Sequence, residues 1–330
     1  MPFRDVVGHA RLIELLSRST AGGTLPPSLL FVGPSGVGKR LTAFAVAQAL
    51  NCTDRLPLDA CGKCAACARI GRGVHPDVVI VEPGESGSIK IDQVREVVDR
   101  AMYRPFEGRR RVVIIDQADA LVAAAQNALL KTLEEPPSSS MFILVTSRPD
   151  VLLPTVRSRC PELRFRPLLA EEIASVLVKR NHTESEARAV AAAADGSLGQ
   201  ALQASAGELV EAREVAQRAL AVAAASNDPA GRLDGAKLLL AKSGNGSERD
   251  QLATHLRAMA SLLRDVEVLA TDADGSALAN PDVRPALERL AKGYGGERGV
   301  RAFGAVDQAL VALDRNAGVK VVADWVMLQL

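Results

Sequence analysis

An α/β unit built on a parallel sheet, followed by an all-helical second half, is the fold class that three observations in the sequence predict. Four apolar runs, 28–33 (SLLFVG), 77–82 (DVVIVE), 111–116 (RVVIID) and 141–146 (MFILVT), punctuate the first half without the polar alternation of half-exposed strands. Strands buried on both faces read this way, and a parallel sheet covered by helices buries both faces. After about Pro167 the strand signals stop, and stretches rich in alanine and leucine run to the end. Aromatic residues make up only 3% of the chain, which suits stacked helices better than antiparallel sheets.

At 330 residues the chain exceeds what one core usually supports, so two or three domains are expected. Breaks within the helical half fall at 195–196 (DG), 244–246 (GNG) and 293–296 (GYGG). A hydrophobic fraction of 48% with 24% charged residues is that of an ordinary globular protein. The formal net charge of +1 gives no global reason to expect tight binding to nucleic acid or to an anionic membrane, so any DNA contact is local. No apolar run approaches the roughly 18 residues of a membrane span, and the start MPFRD lacks a signal-peptide core. A cytoplasmic location is the expectation.

Gly33, Gly36, Gly38 and Lys39 stand at phosphate-loop spacing in 33–40 (GPSGVGKR), after the first strand and before a helical stretch from Leu41 to Leu50. Glycines let backbone N–H groups curl around phosphate oxygens, the helix terminus adds partial positive charge, and Lys39 reaches the β and γ phosphates. ATP or ADP is the ligand this loop suits. The next position needs a hydroxyl to ligate Mg²⁺, and Arg40 offers charge without oxygen, which compromises the metal. Thr42 lies roughly 200° around the helix from Arg40 and is a poor substitute. Asp116, closing the third apolar run, is read as the acid delivered to the metal. It is followed by Gln117, an amide that orients water but takes no proton from it.

The stretch 127–137 (NALLKTLEEPP), followed by 142–146 (FILVT) and 155–160 (TVRSRC), closely resembles the bacterial DNA polymerase III clamp-loader subunits of the AAA+ family, gamma/tau and delta prime. The resemblance runs from 5–9 (DVVGH) to about Phe165 and includes 89–95 (IKIDQVR). It implies an AAA+ domain at 1–166, a small helical lid at 167–206 and a helical collar at 207–330 that joins a pentameric ring. It further implies that Val7 and Gly8 lie near the adenine, that Thr146 is the first sensor, and that Arg159 is an arginine finger acting in trans. A guanidinium set against a γ-phosphate stabilises the charge spread over it in the transition state. The motor subunits carry a phosphate-sensing arginine after a Gly-Ser-Leu turn, where 196–200 (GSLGQ) has Gly199 instead. Losses at Arg40, Gln117 and Gly199 beside an intact Arg159 fit delta prime, the stator that completes a neighbour's site. The implied partners are gamma/tau and delta subunits and, through the complex, the sliding clamp and primed DNA. A gamma/tau-type motor with a divergent site is the alternative.

Cys52, Cys61, Cys64 and Cys67 gather four of the five cysteines in one short stretch, a pattern of metal binding rather than of a disulfide framework. Four thiolates satisfy tetrahedral Zn²⁺ with no vacant position, so the module at about 52–67 is read as a closed, structural zinc site, and the resemblance implies the same. The spacing Cys-x-x-Cys-x-x-Cys also matches part of a [4Fe–4S] run, although a fourth cysteine followed by proline is missing; cysteines that fold without metal are the third possibility. A zinc-finger DNA-binding protein on a vestigial ATPase fold is disfavoured, because the module holds only Arg55 and Lys63 as bases. The run at 109–111 (RRR) is read as a charged entrance to a buried strand ahead of a DNA-facing patch, and His75 as leading into the second strand. Trp325, with Val321, Val322, Val326 and Leu328, predicts an apolar C-terminal helix that packs within a bundle or against sister subunits.

Overall fold

The computed structural model describes residues 1–84, 86–203, 206–226, 228–241, 247–271, 278–315 and 317–330. The expected break at 244–246 lies outside them. The chain divides into two compact units, Met1–Pro167 and Leu168–Leu330.

The first unit holds the sheet. Its strands are β1 (Ser28–Val32), β2 (Val78–Val81), β3 (Arg111–Ile115), β4 (Ser140–Thr146) and β5 (Glu162–Arg164), all parallel, in the order β2-β3-β4-β1-β5. Four of these are the apolar runs of the sequence. Strand β5 was not foreseen, because three residues at a sheet edge, one of them exposed, carry no apolar run to detect. Around the sheet run α1 (Ala10–Ala21), α2 (Lys39–Asn51), α3 (Ala65–Gly71), α4 (Ile91–Ala101), α5 (Ala123–Glu134) and α6 (Pro154–Arg157).

Every residue of β3 and β4 is buried, as the unbroken apolar pattern requires. Successive side chains alternate between two cores. Val112, Ile114, Met141 and Ile143 pack with α2 residues Ala43 and Val46 on one side, while Val113, Ile115, Phe142 and Leu144 pack with Val94 of α4 and Leu129 of α5 on the other. The phosphate loop, Asp116 and Thr146 therefore sit at the C-terminal edge of adjacent strands, where parallel α/β sheets place their ligands.

The arginine run resolves as an entrance to a strand. Arg111 is buried, and its Nη2 donates to Asp77 Oδ1 at 3.0 Å; Arg109 bonds the Cys52 carbonyl and Arg110 the Ser138 carbonyl. Asp77 also accepts the amides of Phe106, Glu107 and Gly108 at 2.6–2.9 Å. Burial alone would raise its carboxyl, but those three amides and the Arg111 guanidinium hold it below the ordinary aspartate value. His75, just before β2, accepts the Asp77 amide on Nδ1 at 3.1 Å.

The second unit is helical throughout its described residues: α7 (Ala170–Val178), α8 (Glu184–Ala193), α9 (Leu198–Gln203), α10 (Ala206–Ala225), α11 (Pro229–Leu239), α12 (Glu248–Ala270), α13 (Arg284–Tyr294), α14 (Glu297–Asp314) and α15 (Val319–Gln329). The break at 195–196 falls between α8 and α9, whereas that at 293–296 begins inside the last turn of α13 and leaves only Gly295 and Gly296 between α13 and α14; Asp195, Gly196 and Gly296 are at positive φ. Thr183 caps α8 in a reciprocal box with Glu186, and Ser247 caps α12 through the Asp250 amide. Tyr294 is fully buried and donates its hydroxyl to the Leu220 carbonyl at 3.0 Å. On α15, Val322 and Val326 enter the core, whereas Val321 is 70% exposed and Trp325 and Leu328 face outward beside it. No helix among the described residues is long and apolar enough to cross a membrane.

Candidate nucleotide site and cysteine metal site

The phosphate loop joins β1 to α2. Gly33, Gly36 and Gly38 adopt φ of 152°, 77° and 101°, backbone that residues with a Cβ seldom take, and at Gly33 a Cβ would also collide with the Phe165 carbonyl. Lys39 opens α2 and is only 7% exposed; its Nζ donates to the carbonyls of Gly33 and Pro34, each at 2.6 Å. Burial pulls its ammonium down to about 8, against the opposing pull of the Asp116 and Asp119 carboxylates.

Arg40 turns toward the strand ends. Its Nη1 donates to Asp116 Oδ2 at 2.9 Å and pairs with Glu82, and its guanidinium lies 5.7 Å from the Phe44 ring centroid. Asp116 Oδ1 accepts the amide of Gln117, whose φ of 51° is left-handed. Thr42, as expected, serves another purpose: its Oγ1 donates back to the Gly38 carbonyl at 2.9 Å. Thr146 closes β4 and donates Oγ1 to Asp119 Oδ1 at 2.7 Å, while Arg148 pairs with Asp119 Oδ2 at 2.9 Å.

The structure thus brings Lys39, Arg40, Asp116 and Thr146 together and adds Glu82, Asp119 and Arg148, which sequence reasoning missed. Glu82 was visible as the acid ending the second apolar run, one strand over from Asp116. Asp119 and Arg148 gave no signal, because their meeting depends on β3 lying beside β4.

Gly8, at φ 69°, precedes His9, whose Nε2 lies 3.0 Å from the Val37 carbonyl of the phosphate loop. With Phe3, Val6, Ile13 and Leu58, Gly8 lines an open groove of about 450 Å³ that contains no phosphate-loop residue. Arg159 follows α6. Its Nη1 donates to the Thr155 carbonyl at 2.7 Å, its Nη2 pairs with Glu134, and the side chain stays 31% exposed. Cys160 is buried, which pushes its thiol up to about 12 and leaves it a packed, unreactive residue.

At the far end of α2, the Sγ atoms of Cys52, Cys61, Cys64 and Cys67 all lie within 4.8 Å of one another. Cys52, Cys61 and Cys67 are buried. Amides of Cys61, Cys64 and Cys67 donate to the sulfurs of Cys52, Cys61 and Cys64 at 3.2–3.4 Å, stabilising thiolates as metal-binding knuckles do. Burial works against ionisation at Cys64, yet hydrogen bonds from Thr53 and Cys67 prevail and hold it down to about 5. The donor set and its spacing could hold one metal ion.

A parallel five-stranded sheet carrying a glycine phosphate loop and strand-end acids is the architecture of P-loop domains. Residues 8–169 match the family described as DNA polymerase III, delta subunit. The gamma/tau subunit of DNA polymerase III from Mycobacterium tuberculosis is 36% identical over 177 residues, covering 54% of this chain and 31% of that protein. The tau subunit from Escherichia coli is 35% identical over 206 residues, covering 61% and 32%. A gamma subunit-related protein from Thermotoga maritima matches in structure over 95% of this chain and 96% of that one, with 20% identity and a TM-score of 0.47. The domain spanned by residues 8–169 belongs with the AAA+ clamp-loader family and is homologous to the gamma/tau subunits, and the chain spans about a third of the length of these curated relatives.

Proposed function

We propose that this chain is the delta-prime, or stator, subunit of a DNA polymerase III clamp loader. In this reading residues 1–166 form the AAA+ domain, 167–206 a lid and 207–330 a collar that joins gamma/tau and delta subunits in a pentameric ring. The chain works during loading of the sliding clamp onto primed DNA. One observation carries the reading: Arg40 stands where a hydroxyl should ligate the metal and binds the acid meant for that metal, while Arg159 lies partly exposed for use by a neighbour. Gln117 and Gly199 add to the loss, the first because an amide is no base, the second because the lid position carries no side chain. ATP or ADP is the nucleotide the loop suits, and Zn²⁺ is the ion that four thiolates in a closed set suit.

The test is reconstitution with gamma/tau and delta partners. Arg159→Ala is expected to cut the ATPase of the assembled complex by on the order of 10³-fold. The isolated chain is expected to show almost no turnover. Robust hydrolysis by the chain alone, abolished by Lys39→Ala, would overturn the proposal in favour of a gamma/tau-type motor, the reading that identity to gamma/tau relatives favours.

A further inference from the structure

We propose that Arg40 is a built-in cation that takes the place of the divalent ion and closes the phosphate-loop site to Mg²⁺. The proposal deepens the stator reading, since it names what keeps this chain's own site inactive, but it can be tested on the chain alone.

Oxygen supply is the first argument. Mg²⁺ demands near-octahedral oxygen ligands, usually one or two carboxylates completed by phosphate and water. Both oxygens of Asp116 are engaged, Oδ2 by Arg40 and Oδ1 by the Gln117 amide. The Thr42 hydroxyl is turned to the Gly38 carbonyl, and the Thr146 hydroxyl is spent on Asp119. Glu82 is paired with the same Arg40 nitrogen that holds Asp116.

Charge is the second argument. Lys39, Arg40 and Arg148 face Glu82, Asp116 and Asp119, so the cluster is neutral without any ion. A divalent ion entering beside Arg40 would leave an excess of two positive charges; replacing Arg40 would mean breaking two ion pairs and a contact with Phe44. Guanidinium does not deprotonate in proteins, so no accessible pH opens the site. Removing Arg40 alone leaves Glu82, Asp116 and Asp119 against Lys39 and Arg148, one negative charge in excess around two freed carboxylates.

The experiment titrates Mn²⁺ into the full chain and follows the free-ion signal by electron paramagnetic resonance, comparing wild type, Arg40→Ser, Arg40→Lys and the double variant R40S/D116N. Arg40→Ser is expected to bind one Mn²⁺ at least tenfold more tightly than wild type or Arg40→Lys, and the double variant to lose that site. Arg40→Ala stands in if Arg40→Ser fails to fold by circular dichroism. The proposal is overturned if wild type binds one equivalent of Mn²⁺ that Asp116→Asn removes, or if a folded Arg40→Ser chain binds no more than wild type. Failure of the stator reading would show instead in the assembled-complex ATPase of Arg159→Ala, which this titration does not touch.

Discussion

Helix α2 carries a site for positive charge at each end, roughly 20 Å apart along its axis, and the two ends solve the same problem in opposite ways. At its N-terminal end, Arg40 pairs with Glu82 and Asp116 and Arg148 pairs with Asp119, so acids and bases of the same chain neutralise one another. At its C-terminal end, four thiols converge within 4.8 Å of each other, and their full ionisation would set like charges side by side. A bound cation would resolve that repulsion. Internal pairing needs no added charge, whereas a cluster of a single charge type is one that a metal ion would stabilise.

The largest expected effect follows from that difference. Stripping the ion with a chelator, or Cys64→Ser, should destabilise the first unit by about 5 kcal/mol or more, because the free energy of filling a structural thiolate site is folding free energy. The checks are the thermal midpoint and a thiol titration, in which four cysteines should become reactive only after chelation. An unchanged midpoint would erase the contrast between the two ends.

A smaller loss is expected at Asp77→Asn, which sits under the cysteine end and tests whether internal pairing there resembles that at Arg40. Breaking the buried Asp77–Arg111 pair should cost about 3 kcal/mol in denaturant unfolding at neutral pH. Since the folded state holds the Asp77 carboxyl below its ordinary value, its contribution is complete above about pH 4 and fades as pH falls further. The difference between wild type and Asp77→Asn should therefore shrink in acid, and a constant difference would show that the pair carries no charge-dependent stability.

Much of this contrast was legible in the sequence. Glycine and cysteine spacing are local, so 33–40 and 52–67 could be read as loop and knuckle, and unbroken apolar runs gave four of five strands. The absence of a hydroxyl at Arg40 was equally plain. What Arg40 does instead was not, because its partners Glu82 and Asp116 are 42 and 76 residues away and meet it only through the pairing of β2 with β3. Arg148 and Asp119 were invisible for the same reason.

The smallest effect belongs to Lys39→Met and sharpens the account of the phosphate-loop end. In a working ATPase this lysine is held for phosphate; here it donates to two carbonyls of its own loop, Gly33 and Pro34. Losing those bonds and sparing the burial of a charge oppose one another, so the net shift in stability at neutral pH should be small. The pH dependence has a definite sign. With its folded value lowered to about 8, Lys39 sheds its proton in the native state before it does so in the unfolded chain, whose value is near 10.5. Between these limits the unfolded state binds more protons, so wild type should gain stability relative to Lys39→Met as pH rises from 8 toward 10.5. Denaturant midpoints of the two proteins across that range give the slope directly, and a flat or opposite slope would mean that the loop holds Lys39 as comfortably charged as water does.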